Sequence, residues 1–115
     1  MDIPCEDGLL FLILRNDGPG PAHEVTARFS SPVMGPDGRV LTDLSVFGKV
    51  GFLAPGRGLK VFVDTYESYS RRGQPKVLDV VVSFRDSGGR RRSERMHHDL
   101  SIYDDLVELT GRIPP

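Results

Sequence analysis

The sequence predicts an all-β fold of about seven short antiparallel strands, arranged as two sheets that pack face to face. Three observations predict it. Several segments alternate apolar and polar residues, which is the pattern of strands with one buried face. Thirteen glycines and nine prolines make the chain rich in turns. The turn signals recur about every 8–14 residues, a spacing typical of β-sandwiches and not of alternating strands and helices.

The first predicted strand, Leu9–Arg15, is a continuous apolar run, and we expect it to be buried on both faces or nearly so. Asn16–Pro21 follows as a connection of turn-forming residues that cannot pair. Three later segments alternate clearly, and a fourth returns beside the third through the hairpin connection Asp86–Gly89. These four predicted strands are His23–Ser30, Gly58–Thr65, Val77–Arg85 and Arg90–Leu100.

The segments between these strands are predicted to be loops and short strands. Ser31–Arg39 is a long loop whose tightest turn is a Pro-Asp-Gly sequence. Val40–Phe52 contains one or two short strands, and Pro55-Gly56 then forms a type II turn. Tyr66–Lys76 is predicted to be a polar loop whose two tyrosines fold back onto the end of the sandwich.

The C-terminal segment has two alternatives. Ser101 and Asp104 have the spacing of a capping box, which predicts a short helical turn through Leu109 that stops near Gly111. The last strand of the sandwich is the other alternative. We expect one domain, residues 1–115, with its core at approximately residues 8–103.

The composition limits the classes of protein that the chain can belong to. Fifteen basic and sixteen acidic residues leave a net charge of −1, so no overall field favours nucleic acid or an anionic membrane. Cys5 is the only cysteine, which excludes an internal disulfide, and we expect it in a flexible N-terminal segment. The apolar run ending at Leu14 is too short for a signal peptide or a membrane span. We therefore expect a soluble chain, or a soluble piece of a longer protein. The sequence does not predict its cellular compartment.

No catalytic or metal-binding constellation is visible in the sequence. His97 and His98 are adjacent, so on a strand they point to opposite faces and cannot share an ion. We expect His98 at the sandwich edge and His97 in solvent beside Asp99. The G-x-S-x-G motif and glycine-rich phosphate loops are absent, and Cys5 has no local partner. We predict no catalytic residue, metal, cofactor or enzymatic activity, with weak calcium binding at a loop end left as an alternative.

Two groups of arginines form the one candidate site. The candidate polyanion contacts are Arg71, Arg72, Arg90, Arg91, Arg92 and Arg95. The last four follow the hairpin turn and the first two lie in another loop, so the sequence leaves open whether they form one patch. If they do, six guanidinium groups can bind nucleic acid or an acidic partner. The alternative is a solvated hairpin whose arginines prevent edge-to-edge pairing.

Three local patterns carry a family resemblance. They are Leu12-Ile13-Leu14-Arg15-Asn16-Asp17-Gly18 with Pro21-Ala22 and Val25 behind it, Leu53-Ala54-Pro55-Gly56, and Val80-Val81-Val82-Ser83-Phe84-Arg85-Asp86-Ser87-Gly88-Gly89. In this order they resemble the bacterial immunoglobulin-like modules of the CARDB (cell-adhesion-related) and fibronectin type III kind. The resemblance implies an immunoglobulin-like β-sandwich that is not catalytic and is often one unit of a larger envelope or surface protein. It brings no functional residues, and the long Ser31–Arg39 loop departs from the pattern.

We therefore predict a non-catalytic interaction or structural module that binds a protein partner through sheet edges or loops. The loops favour this hypothesis because they are rich in large side chains, namely Phe47, Tyr66, Tyr69 and Met34. Binding of a polyanion or nucleic acid through the arginine-rich hairpin is the first alternative, and nucleic acid is the less favoured partner. A hydrolase with an unrecognised site is the second alternative. The partner's identity and the oligomeric state are open.

Overall fold

The computed structural model describes residues 1–106 and confirms the predicted antiparallel β-sandwich of seven strands. The strands are β1 (Cys5–Glu6), β2 (Leu9–Arg15), β3 (Ala22–Phe29), β4 (Val50–Leu53), β5 (Gly58–Thr65), β6 (Val77–Arg85) and β7 (Arg91–Asp99). They form a three-stranded sheet of order β1-β2-β5 and a four-stranded sheet of order β4-β3-β6-β7. All strand pairs are antiparallel. The helical elements are α1 (Ser45–Gly48), α2 (Tyr66–Arg71) and 3-10 turns at Leu41–Asp43 and Leu100–Ile102.

The core lies between the two sheets and is built from alternate residues of the strands. Because successive side chains of a strand point to opposite faces, each strand contributes every second residue. The buried residues of the three-stranded sheet include Leu10, Leu12, Leu14 and Val63, and those of the four-stranded sheet include Val25, Ala27, Leu78, Val80 and Val82. The alternation that predicted β3, β5, β6 and β7 therefore identified the inward faces correctly.

β2 is fully buried on one face only, so the prediction of burial on both faces or nearly so was met in part. Its second face is half-buried, and there the ring of Phe11 packs edge-on against Phe62 at 5.6 Å and beneath the Lys60 ammonium at 4.1 Å. The expectation of a flexible N-terminal segment was wrong. Ile3 is buried in the core, and the backbone of Asp2 exchanges hydrogen bonds with β2. The N-terminal segment is therefore packed along β2.

The segment predicted to contain one or two strands, Val40–Phe52, is mostly helical. Only its last part belongs to β4, while the 3-10 turn and α1 precede it. Phe47 of α1 is buried and meets Phe29 of β3 edge-on at 5.2 Å. Strand alternation fails here because one large apolar side chain anchors a single helical turn to the sheet, and such a turn is too short to show helical periodicity.

The segment predicted to be a polar loop, Tyr66–Lys76, begins with α2. The hydroxyl of Thr65 accepts a hydrogen bond from the N–H of Ser68 at 3.2 Å, which is the N-cap contact that starts a helix. Tyr66 and Tyr69 lie three residues apart, so they share one helix face and both are buried. The tyrosines fold back onto the sandwich as predicted. Together with the buried Phe47 they are core residues, which removes most of the loop surface expected to bind a partner.

Described residues after β7 are helical, so the alternative of a last strand is wrong for that part of the chain. The hydroxyl of Tyr66 holds the segment, since it lies 2.6 Å from Asp104 Oδ1 and 2.9 Å from the Leu100 carbonyl oxygen. The predicted end of the turn, at Leu109 and Gly111, lies outside the described residues. Among residues 1–106, the helices are all too short and too polar to cross a membrane.

Candidate functional site

The outer face of the four-stranded sheet presents four exposed arginines around a row of hydroxyl groups. Because the inward residues of β3, β6 and β7 are fixed by the core, the residues between them point outward. We call this surface the arginine face, and its residues are Arg28, Arg85, Arg91 and Arg95 with Thr26, Ser83 and Ser93. No other described strand covers this face of the sheet.

The hydroxyl row crosses three strands. Thr26 of β3 is in register with Ser83 of β6, and Ser83 is in register with Ser93 of β7. In the next row, Arg28 of β3 and Arg95 of β7 lie on either side of Val81. Neighbouring strands are about 4.8 Å apart, so these two arginines start roughly 10 Å from each other, in a row that lies beside the hydroxyl row.

The row on the other side of the hydroxyls places two arginines directly opposite each other. Arg85 of β6 and Arg91 of β7 are cross-strand partners, and like charges in that position are destabilising. Glu24 relieves the repulsion, since its carboxylate lies 3.4 Å from the Arg85 guanidinium. Arg91 has no such carboxylate among the described residues. An anion bound beside Arg91 would therefore make favourable electrostatic contacts with its guanidinium group.

The arginine face is positive overall. Its two nearest carboxylates are both engaged, Glu24 with Arg85 and Asp79 with His97, whose Nδ1 is 2.7 Å away. Arg28 and Arg95 make no ion pair within residues 1–106. His97 is exposed, as expected, and the carboxylate that it contacts directly is that of Asp79.

A β-bulge in β3 sets which side chains point outward. The register between β3 and β6 shifts between His23 and Thr26, and Glu24 has a φ of +52°. A bulge adds one residue to one strand, so the side chains after it are re-aimed. The bulge turns Val25 into the core and keeps Thr26 outside. The predicted strand His23–Ser30 therefore had the correct faces but no bulge.

The structure separates the two predicted arginine groups. Arg71 and Arg72 lie at the end of α2, which precedes β6, whereas the hairpin follows β6; a strand of that length spans about 30 Å. Arg72 is mostly buried and donates to the Asp64 carboxylate and to two carbonyl groups of the Ser31–Arg39 loop. Its guanidinium is thus committed to the fold. Arg71 is exposed, 3.9 Å from Glu67.

The hairpin arginines are also divided. Arg91 and Arg95 point to the outer face, whereas Arg92 alternates to the other side and donates from Nε to the Asp86 carboxylate at 2.7 Å. This bond and two backbone N–H groups hold the pKa of Asp86 below its usual range. Arg90 is an exposed residue of the turn itself. Two of the six predicted arginines therefore lie on the arginine face.

Arg28 and Arg85 were missed as members of the site. The alternation of their strands already placed both on the outward side. What it could not show is that β3, β6 and β7 are neighbours, since strand order is not a property of any single segment.

The other chemical groups do not gather into a site. No group of three or more histidine, cysteine, aspartate or glutamate side chains within residues 1–106 is placed to hold a metal ion. Burial raises the pKa of the Cys5 thiol, which disfavours the reactive thiolate. Burial lowers the pKa of His98, whose Nε2 is buried without a hydrogen-bond partner in the described part of the chain. His98 lies at the sandwich edge as expected.

Comparison with known proteins gives one match. Residues 3–104 match the model of a family described as "Domain of unknown function (DUF8453)". No curated protein and no solved structure matches the chain.

Proposed function

The chain belongs to the family described as a domain of unknown function (DUF8453), and we propose that it is a non-catalytic interaction module that binds an anionic partner on its arginine face. The observation that supports this most directly is the arrangement of Arg28, Arg85, Arg91 and Arg95 on one face, where among residues 1–106 a carboxylate pairs with Arg85 alone. Arginine forms bidentate hydrogen bonds with carboxylate, phosphate and sulfate groups, and the hydroxyl row between the arginines adds further donors.

The flatness of the surface indicates the shape of the partner. The outer face of a sheet is open on all sides, so it suits an extended anionic chain better than a small ion, which prefers an enclosed pocket. The hydroxyl row ends at Ser93 of the edge strand β7, between Arg91 of one arginine row and Arg95 of the other, so a chain that lies along this edge meets both rows.

We also propose that the fold is of the immunoglobulin-like, fibronectin type III kind. In sandwiches of this kind the first, second and fifth strands form one sheet, and the third, sixth and seventh form the other, joined at its edge by the fourth. The order β1-β2-β5 and β4-β3-β6-β7 supports that assignment. Such modules often serve as parts of larger surface proteins, and this supports an interaction role by analogy.

Retention on immobilised heparin, measured as a function of salt, tests the function. The variant Arg28→Ser/Arg95→Ser removes both arginines of the row on one side of the hydroxyl row, the two that lie on either side of Val81. We expect it to reduce the slope of log affinity against log salt by about two, one for each lost ionic contact.

The matched control is Arg39→Ser/Arg57→Ser, which makes the same change in net charge at two exposed loop arginines away from the arginine face. It should retain most of the binding. Equal weakening by both variants, or no retention of the natural chain at low salt, would overturn the proposal. Mixed oligonucleotides serve as a second probe, and tighter binding to them than to heparin would favour the nucleic-acid alternative.

A further inference from the structure

β7 is the edge strand of the four-stranded sheet, and its free edge can be assigned residue by residue. The N–H of Asp86 donates to the Arg90 carbonyl at 2.8 Å, and the N–H of Leu100 donates to the Lys76 carbonyl at 2.6 Å. Arg90 and Leu100, which make these bonds, are even-numbered and lie immediately before and after β7. Since alternate residues of an antiparallel pair bond to the partner strand, the even residues of β7 bond to β6. The odd residues therefore direct their N–H and C=O groups away from the sheet; they are Arg91, Ser93, Arg95 and His97, with Asp99 at the end of the strand.

These odd residues are also the ones whose side chains lie on the arginine face. A strand added beside β7 would place alternate side chains next to Arg91 and Arg95. Opposite charges on neighbouring strands stabilise a sheet, whereas like charges destabilise it. The outward residues of an added strand are therefore expected to be acidic.

The inner side of the same strand faces an open cleft between the two sheets. The cleft has a volume of about 800 Å³ and lies at the hairpin end of the sandwich. Its walls include Leu14 of β2, Phe84 of β6 and Met96 of β7, and β7 also contributes the charged side chains of Arg92 and Glu94. Phe84 and Met96 are half-buried, so apolar surface remains to be covered. Because the cleft exposes more apolar than polar surface, the inward residues of an added strand are expected to be mainly apolar.

We propose, on the basis of the function proposed above, that the anionic partner is an extended protein segment in which acidic and apolar residues alternate, and that it joins the sheet as a strand beside β7. Backbone hydrogen bonds to Arg91, Ser93, Arg95 and His97 supply affinity that does not depend on sequence. The arginine face selects acidic residues on one side, and the cleft selects apolar residues on the other.

A second copy of this chain is a poorer occupant of the edge. Two β7 strands paired through their odd residues bring together Arg91, Ser93, Arg95 and His97 on the outer side; the one acidic residue among the odd positions, Asp99, lies at the end of the strand and its carboxylate already accepts two hydrogen bonds from Ser101. Such a pair places like charges near one another, which opposes self-association and leaves an acidic partner favoured.

The test uses a fluorescent peptide of alternating glutamate and valine, long enough to span β7, and measures its binding to the full chain by anisotropy. The first control peptide has the same sequence with N-methyl groups on alternate residues, so that it keeps its charge and shape but cannot pair as a strand. The second control replaces glutamate by lysine. We expect both controls to bind at least about tenfold more weakly.

The variant Ser93→Pro removes one outward N–H group from the middle of the free edge without removing a bond to β6. We expect it to bind the peptide about tenfold more weakly than Ser93→Ala, which removes the same hydroxyl group but keeps the N–H, while heparin retains the two variants equally. A circular dichroism melting curve of the variant tests whether it still folds. Should the curve show unfolding, Ser93 N-methylated by chemical synthesis of the chain replaces the variant. Hydrogen exchange should show new protection of the amides of Arg91, Ser93, Arg95 and His97 when the glutamate–valine peptide is bound.

Three results would overturn the inference. Equal binding of the N-methylated peptide would mean that charge alone attracts the partner. Absence of peptide binding together with normal heparin retention would refute strand addition and leave the anion-binding function standing. Dimerisation of the chain at micromolar concentration, with the same edge amides protected before peptide is added, would assign the edge to a second copy.

Discussion

Arg72 is expected to contribute to folding and not to anion binding, and Arg72→Met tests this. The guanidinium Nη2 lies 3.0 Å from Asp64 Oδ2 and Nε lies 3.2 Å from the same oxygen. The same group donates to the carbonyl oxygens of Met34 at 3.0 Å and Gly35 at 3.2 Å. One side chain therefore joins α2, the end of β5 and the Ser31–Arg39 loop.

The magnitude follows from what the substitution leaves behind. The Asp64 side chain is 9% exposed, and without Arg72 its charge is left with the N–H of Thr65 as its only donor among the described residues. Removing one partner of a buried ion pair costs about 3–5 kcal/mol. We expect the free energy of unfolding to fall by that amount, a large fraction of the roughly 5–15 kcal/mol typical of a domain.

Urea denaturation followed by circular dichroism measures the loss. Arg71→Met is the matched control, because Arg71 is 73% exposed and its ion pair with Glu67 at 3.9 Å should contribute less than about 0.5 kcal/mol. The double variant Asp64→Asn/Arg72→Met should be more stable than Arg72→Met, since it no longer buries an unpaired charge. If Arg72→Met is as mild as Arg71→Met, the guanidinium is not held by the fold and the assignment of Arg72 is refuted.

Two further predictions concern His98 and a turn. The pKa of His98 is lowered below 6.5 by burial, so its neutral form is favoured in the fold and stability is lost as pH falls from about 6.5 through the lowered pKa. His98→Phe should reduce this acid-induced loss, measured as the difference in unfolding free energy between pH 7.5 and pH 5.5; an unchanged difference would contradict the argument. Gly56 has a φ of +77° in the turn that precedes β5, and a Cβ added there meets nothing within 4 Å. Gly56→Ala should therefore lower the free energy of unfolding by about 1 kcal/mol through backbone strain alone, measured in a thermal melt. Gly51→Ala is its control, because Gly51 has equal space and no positive φ; equal losses would exclude backbone strain as the cause.

The parts of the fold that could be predicted are those governed by a single local rule. Alternation identified the inward faces of β3, β5, β6 and β7, and proline with glycine identified the turns. α1 and α2 were missed because a single helical turn shows too little periodicity to distinguish it from a loop. Two local signals for α2 were nevertheless present, namely Thr65 as an N-cap and the spacing of Tyr66 and Tyr69.

The candidate site was predictable only in part, for a different reason. The sequence showed that Arg91 and Arg95 follow a hairpin, and alternation placed Arg28 and Arg85 outward. Joining the four requires knowing that β3 pairs with β6, which is a contact between distant parts of the chain. The prediction for Arg72 failed in the opposite way, because its position next to Arg71 suggested a shared role. Its contacts are instead made with Asp64 of β5 and with Met34 and Gly35 of the Ser31–Arg39 loop.

The bulge at Glu24 connects the core to the arginine face. Without the extra residue, strict alternation from the buried Ala22 would turn Val25 outward and Arg28 inward. The positive φ of Glu24 is unusual for a residue with a side chain and costs free energy. Its carboxylate also lies 3.4 Å from Arg85, where it relieves repulsion on the arginine face. The same irregular residue therefore lets Val25 enter the core and lets Arg28 point outward, so core packing and the proposed binding surface depend on one local distortion.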